Sequence, residues 1–160
     1  MITRTFYGIV ACLLLFGAIQ ACKTPASVPV TAEVQFVDNP GSGLVSLSAT
    51  GFGSSEDLAI ENAYFTAFNT VFFTGLPQFT ALRVPMVANE SKAKSEHGSY
   101  FKKFYQNGYY LRFVTERLNP AISKSANDRK MKAAKMTFTL NYEALRKDLE
   151  QNNIIRKFGL

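Results

Sequence analysis

The clearest pattern in the chain is alternation. From Leu44 to Phe52 (LVSLSATGF) Val45, Leu47 and Ala49 fall on one side and Ser46, Ser48 and Thr50 on the other, which predicts a strand with one face buried. Met136, Phe138, Leu140 and Tyr142 alternate in the same way with Lys135, Thr137, Thr139 and Asn141. Tyr109 to Arg117 (YYLRFVTER) reads as a further strand. Val34 and Phe36 mark a short one over 33–37, ahead of the turn cluster Asn39-Pro40-Gly41-Ser42-Gly43. Between these the period changes. Ala59, Ala63 and Ala67 recur every four residues, flanked by Ile60, Tyr64 and Val71, and predict a helix over 56–74. Ser54 or Ser55 would cap it, Glu56 and Asp57 suit its positive first turn, and Gly75 with Pro77 would stop it. Gly51 and Gly53 are expected to make a sharp turn into this helix. A short helix is expected from Ser99 to Gly108, and a last one over 143–152 with Leu145 and Leu149 inward.

Two stretches lack a period. Residues 76–98 are rich in breakers and are expected to cover Phe65 and Phe72, which lie roughly opposite the alanine stripe. Residues 118–133, with Asn119-Pro120 and Asn127-Asp128, read as a long exposed loop. The order β-α-(α)-β-β-α predicts an α+β fold: a small antiparallel sheet of three to four strands with helices packed on one face.

The N-terminus follows other rules. Arg4 precedes an apolar run from Phe6 to Ile19, too short to span a bilayer comfortably and suited to the core of a signal peptide. The run ends Ile19-Gln20-Ala21-Cys22, which resembles a bacterial lipobox. That resemblance implies cleavage after Ala21 and a diacylglyceryl group on the Cys22 thiol. Residues 1–21 are then a lipoprotein signal peptide, 22–32 a lipidated tether with prolines and no period, and 33–160 a single domain. Several acyl chains hold a protein durably on a membrane. Lys23 rather than Asp follows Cys22, so the outer membrane is expected, with the domain facing either the periplasm or the surface.

Composition removes most enzyme chemistry. Of the two cysteines, Cys12 leaves with the signal and Cys22 carries lipid, so thiol nucleophiles, disulfides and metal thiolates are excluded. With one histidine, His97, no metal site is expected. Gly51-Phe52-Gly53 before a helix invites a nucleotide reading, but the third glycine of that fingerprint is replaced by Glu56, whose charge would repel phosphate. His97 sits in a polar run with no Gly-x-Ser-x-Gly elbow in the chain, and an exposed or capping role accounts for it. No catalytic residues and no cofactor are expected.

Charge is informative. Residues 92–135 carry eleven Lys and Arg against three acids, while 33–91 carry six acids against Arg83 alone. Lys102, Lys103, Arg112, Arg129, Lys130 and Lys132 form a candidate patch for an anionic partner, whether anionic lipid or an acidic envelope protein. Nucleic acid is not expected behind a signal peptide.

The strand Val45–Thr50, the Gly51-Phe52-Gly53 link and the Ala59/Ala63/Ala67 helix resemble an envelope module. It occurs in small lipoproteins of the Helicobacter twenty-kilodalton type and in the N-terminal domain of a flagellar accessory protein. Phe72-Phe73-Thr74-Gly75-Leu76-Pro77, Tyr100-Phe101 and the ending Ile154-Ile155-Arg156-Lys157-Phe158-Gly159 are similar to small Bacteroidota lipoproteins. These resemblances imply a non-enzymatic interaction or structural module of the cell envelope. An accessory subunit of a secretion or motility apparatus, and a carrier or sensor of an anionic or apolar ligand, are the alternatives.

Overall fold

The computed structural model describes residues 33–157 apart from Asn127 and Arg129. The expected signal peptide, cleavage site Ala21, lipidation site Cys22 and tether all lie outside the described residues. The described chain is α+β as expected, but the open antiparallel sheet has five strands rather than three to four: β1 (Val34–Gly41), β2 (Leu44–Gly53), β3 (Val114–Arg117), β4 (Ala121–Lys124) and β5 (Lys132–Asn141). The helices are α1 (Glu56–Asn69), α2 (Glu90–Glu96), α3 (Gly98–Tyr105) and α4 (Tyr142–Gln151). The spatial order is β1-β2-β5, with β3 and β4 in tandem along the outer edge of β5.

The two alternating segments become the central pair. β2 and β5 run antiparallel with Val45 opposite Leu140, Leu47 opposite Phe138 and Ala49 opposite Met136. All six are buried on the helix side. The other face carries hydroxyls, where Ser46 Oγ and Thr139 Oγ1 lie 3.0 Å apart. Helix α1 crosses the inner face on its alanine stripe, with Ala59, Ala63 and Ala67 almost inaccessible to solvent. Ser55 caps it, its hydroxyl accepting from the Leu58 N–H at 3.2 Å. The expected helical span to residue 74 is there, but its last five residues, Thr70–Thr74, wind as a π turn. Gly75 ends it at φ +84°, a conformation L side chains avoid.

Gly51 and Gly53 are not a turn. Both lie inside β2, opposite Ala134 and Lys132, and the chain reverses through Ser54-Ser55. Their function is clearance: a Cβ on Gly53 would lie 2.5 Å from the backbone nitrogen of Ala59. The missing side chains let the helix backbone rest directly on the strand.

Three further expectations are corrected. Tyr109–Phe113 is not strand but part of a 3-10 stretch, Gln106–Phe113, and β3 begins only at Val114. In a 3-10 helix residues three apart eclipse, so Tyr110 and Phe113 both point into the core. Residues 118–133 are not simply loop: β4 pairs Ile122 with Ala134 and Lys124 with Lys132. The insertion supplies Leu76, Phe79, Leu82 and Val87 to the core, yet the rings over Phe72 are Phe101 and Phe104 of α3. Phe65 stays 43% exposed, against Tyr105.

Candidate functional site

An open groove of about 820 Å³ lies between α2 and the segment that follows α4. Asn89 opens one wall: its side-chain oxygen accepts from the Lys92 N–H at 2.9 Å and starts α2. The opposite wall is made by a reversal after α4. Asn153 takes φ +55° and the Ile154 N–H donates to the Leu149 carbonyl at 2.9 Å, which turns Ile154 and Ile155 back along the groove. Met86, Val87, Ala93, Ile154 and Ile155 supply an apolar lining, and Lys92, Arg156, Lys157, His97 and Glu96 supply polar groups. An apolar lining with a few convergent polar groups is what binding sites usually present. Lys92 and Glu96 approach to 3.9 Å on the exposed side of α2, a pair worth little to stability.

His97 lies at the junction of α2 and α3, its N–H donating to the Ala93 carbonyl at 2.8 Å. It occupies the N-cap position of α3, but its side chain makes no capping hydrogen bond there. Among the described residues, no three side chains of His, Cys, Asp and Glu gather as they would around a metal ion.

The six-residue basic patch is not brought together. Lys102 and Lys103 are on α3 and Arg112 on the 3-10 stretch, where Lys103 Nζ and Arg112 Cζ lie 5.4 and 4.9 Å from the Tyr109 ring centroid. That stretch leads into Val114, opposite Leu140. Lys132 starts β5 eight residues earlier, about 27 Å along the strand, with Lys130 just before it. Arg129 lies outside the described residues. The patch is thus two clusters at opposite ends of β5.

One polar contact was invisible in the sequence. Asp148 on α4 accepts from the Tyr100 hydroxyl at 2.7 Å and from the Tyr109 hydroxyl at 3.0 Å, tying α3 and the 3-10 stretch to α4. Burial pushes the Tyr100 phenol well above the usual tyrosine range, and the hydrogen bond to Asp148 pushes it the same way. Tyr105, partly buried and donating to Asn69 Oδ1 at 2.9 Å, is raised by desolvation and by the charge of Glu90. Such groups favour the folded state while they stay protonated. Their stabilisation is complete below the unfolded tyrosine value of about 10 and is lost as pH rises past it. Thermal melts from about pH 8 to about pH 11 are expected to fall more steeply for wild type than for Tyr100→Phe. Asp148→Ala, which removes the shared acceptor of both phenols, is expected to cost about 1–3 kcal/mol in urea unfolding at neutral pH.

No protein-family model matches the chain, and it has no match among curated proteins or solved structures.

Proposed function

We propose that the chain is an outer-membrane-anchored lipoprotein, held through lipid on Cys22, that acts as a non-enzymatic interaction or structural module of the cell envelope. The lipobox-like Ile19-Gln20-Ala21-Cys22 and the apolar run before it support the anchor. The open groove carries the interaction reading. Its apolar lining would take the hydrophobic side chains of a partner segment, and Lys92, Arg156 and Lys157 favour an acidic one. An enclosed cavity would instead favour a carrier of small ligands, and this groove is not enclosed. An accessory subunit of a larger envelope machine is one form such a module takes.

The test is a pull-down from crosslinked cell envelopes with wild type, Cys22→Ser and the rim reversal Lys92→Glu/Arg156→Glu. Wild type is expected to recover one protein stoichiometrically. The rim reversal should lose it while keeping the wild-type melting temperature, and Cys22→Ser should lose membrane attachment. If membrane-attached wild type recovers no protein, the interaction reading fails.

A further inference from the structure

β1 starts, and the basic β4–β5 hairpin turns, at the same end of the sheet. The Thr50 N–H donates to the Glu33 carbonyl at 3.1 Å, and Val34 pairs with Ala49. Because β1 is antiparallel to β2, the start of β1 lies towards the end of β2. β2 ends at Gly53 opposite Lys132, and Lys132 is opposite Lys124. Glu33, Thr50, Lys135 and Ala121 therefore form one row across the sheet. The hairpin continues past that row. Lys132 and Lys124 are three residues on, about 10 Å. The turn beyond them is closed by the Ser125 N–H on the Met131 carbonyl at 2.8 Å.

This hairpin carries Lys124, Lys130, Lys132 and Lys135. Lys124, Lys130 and Lys135 are exposed and make no ion pair among the described residues, while Lys132 reaches Glu56 at 3.5 Å. The acids at this end are Glu33, Glu56, Asp57 and Asp128. Asp128 is partly occupied, accepting from the Lys130 N–H at 2.8 Å. In the sequence from 125 to 131 it is the single acid.

Ten residues separate Cys22 from Glu33, and they extend at most about 35 Å. We propose that the β4–β5 hairpin rests on the headgroups of the membrane that holds Cys22, its lysines meeting the phosphates of anionic lipid; this rests on lipidation at Cys22. The acyl chains supply the attachment and the hairpin supplies its orientation. The field of an anionic surface decays within a Debye length of about 8–10 Å, so only charges projecting towards the bilayer contribute. Lys102, Lys103 and Arg112, near the far end of β5, do not.

The test uses the mature lipidated protein in vesicles of phosphatidylcholine with phosphatidylglycerol, with a quencher on the lipid headgroups. A fluorophore is placed on Ala126→Cys in the hairpin loop, or on Ser42→Cys in the β1–β2 turn at the opposite end. Quenching at position 126 is expected to exceed that at 42 several-fold. The difference should vanish in pure phosphatidylcholine and in Lys124→Glu/Lys130→Glu, and survive in Lys102→Glu/Lys103→Glu, which changes net charge equally. Equal quenching at 126 and 42, or equal effects of the two reversals, would overturn the hairpin contact. Mass spectrometry of the mature N-terminal peptide reads the anchor separately. A peptide without the diacylglyceryl group overturns the lipoprotein reading and this proposal with it; a lipidated peptide with equal quenching overturns the hairpin contact alone.

Discussion

Gly51→Ala is expected to destabilise the protein by about 3 kcal/mol or more, although it adds one methyl group. A Cβ at this position would overlap the backbone nitrogen of Ala63 and the carbonyl oxygen of Ala59, and would lie 2.6 Å from the carbonyl carbon of Asn62. These are backbone atoms of α1 that cannot rotate aside, so the whole helix must lift from β2. Lifting it unpacks Ala59, Ala63 and Ala67, and strains the bond from the Asn62 side-chain amide to the Phe52 carbonyl, 2.7 Å long. Urea unfolding checks this, with the midpoint falling and the slope unchanged. Gly98→Ala is the matched control. Gly98 is the first residue of α3, a Cβ there meets nothing within 4 Å, and φ is not positive, so alanine should gain about 0.5–1 kcal/mol. If Gly51→Ala stays within about 1 kcal/mol of wild type, the helix is not seated as closely as this geometry requires.

The pair Gly51 and Gly53 also marks the limit of what was legible. Both glycines stand out in the sequence, and a turn is the commoner use of such a pair; their true use depends on a helix that returns over the strand. β2 and β5 were legible because each has one face buried and the other polar, so alternation records their surroundings residue by residue. β4 was not, because four residues paired through backbone along part of β5 need no alternation of their own. Helix α2 carries local signals that could have revealed it: the Asn89 cap and the pairs Glu90–Lys94 and Lys92–Glu96. The groove had none. Its walls meet from segments about sixty residues apart, and neither segment has a period that points to the other. The basic patch failed for a related reason: counting charge by interval joins residues that the sheet then carries to opposite ends. The α+β class was legible because it needs only element types and their order. The proposed lipid anchor falls on Cys22, outside the described residues, and is argued from the sequence alone.

Phe104→Ala is expected to cost about 3–5 kcal/mol, the range for removing a fully buried ring. Phe104 is inaccessible to solvent, and its centroid lies 5.1 Å from Phe68 and 5.0 Å from Phe72, both edge-on. On the other side it stacks on Phe113 at 5.8 Å. It therefore joins α1 and its π turn to α3 and the 3-10 stretch, and each such aromatic pair adds about 0.5–1.5 kcal/mol beyond area burial. Phe65→Ala, one half-exposed ring against Tyr105 at 4.6 Å, should cost only about 1 kcal/mol. The loss should also be local before it is global. Phe101 and Phe104 are the buried side chains of α3, so amides in this helix should exchange faster in Phe104→Ala while β2 and β5 stay protected. If Phe104→Ala costs no more than Phe65→Ala, the aromatic cluster does not hold α3. The Tyr100–Asp148–Tyr109 contact must then do so, and Asp148→Ala should show the larger loss of the two.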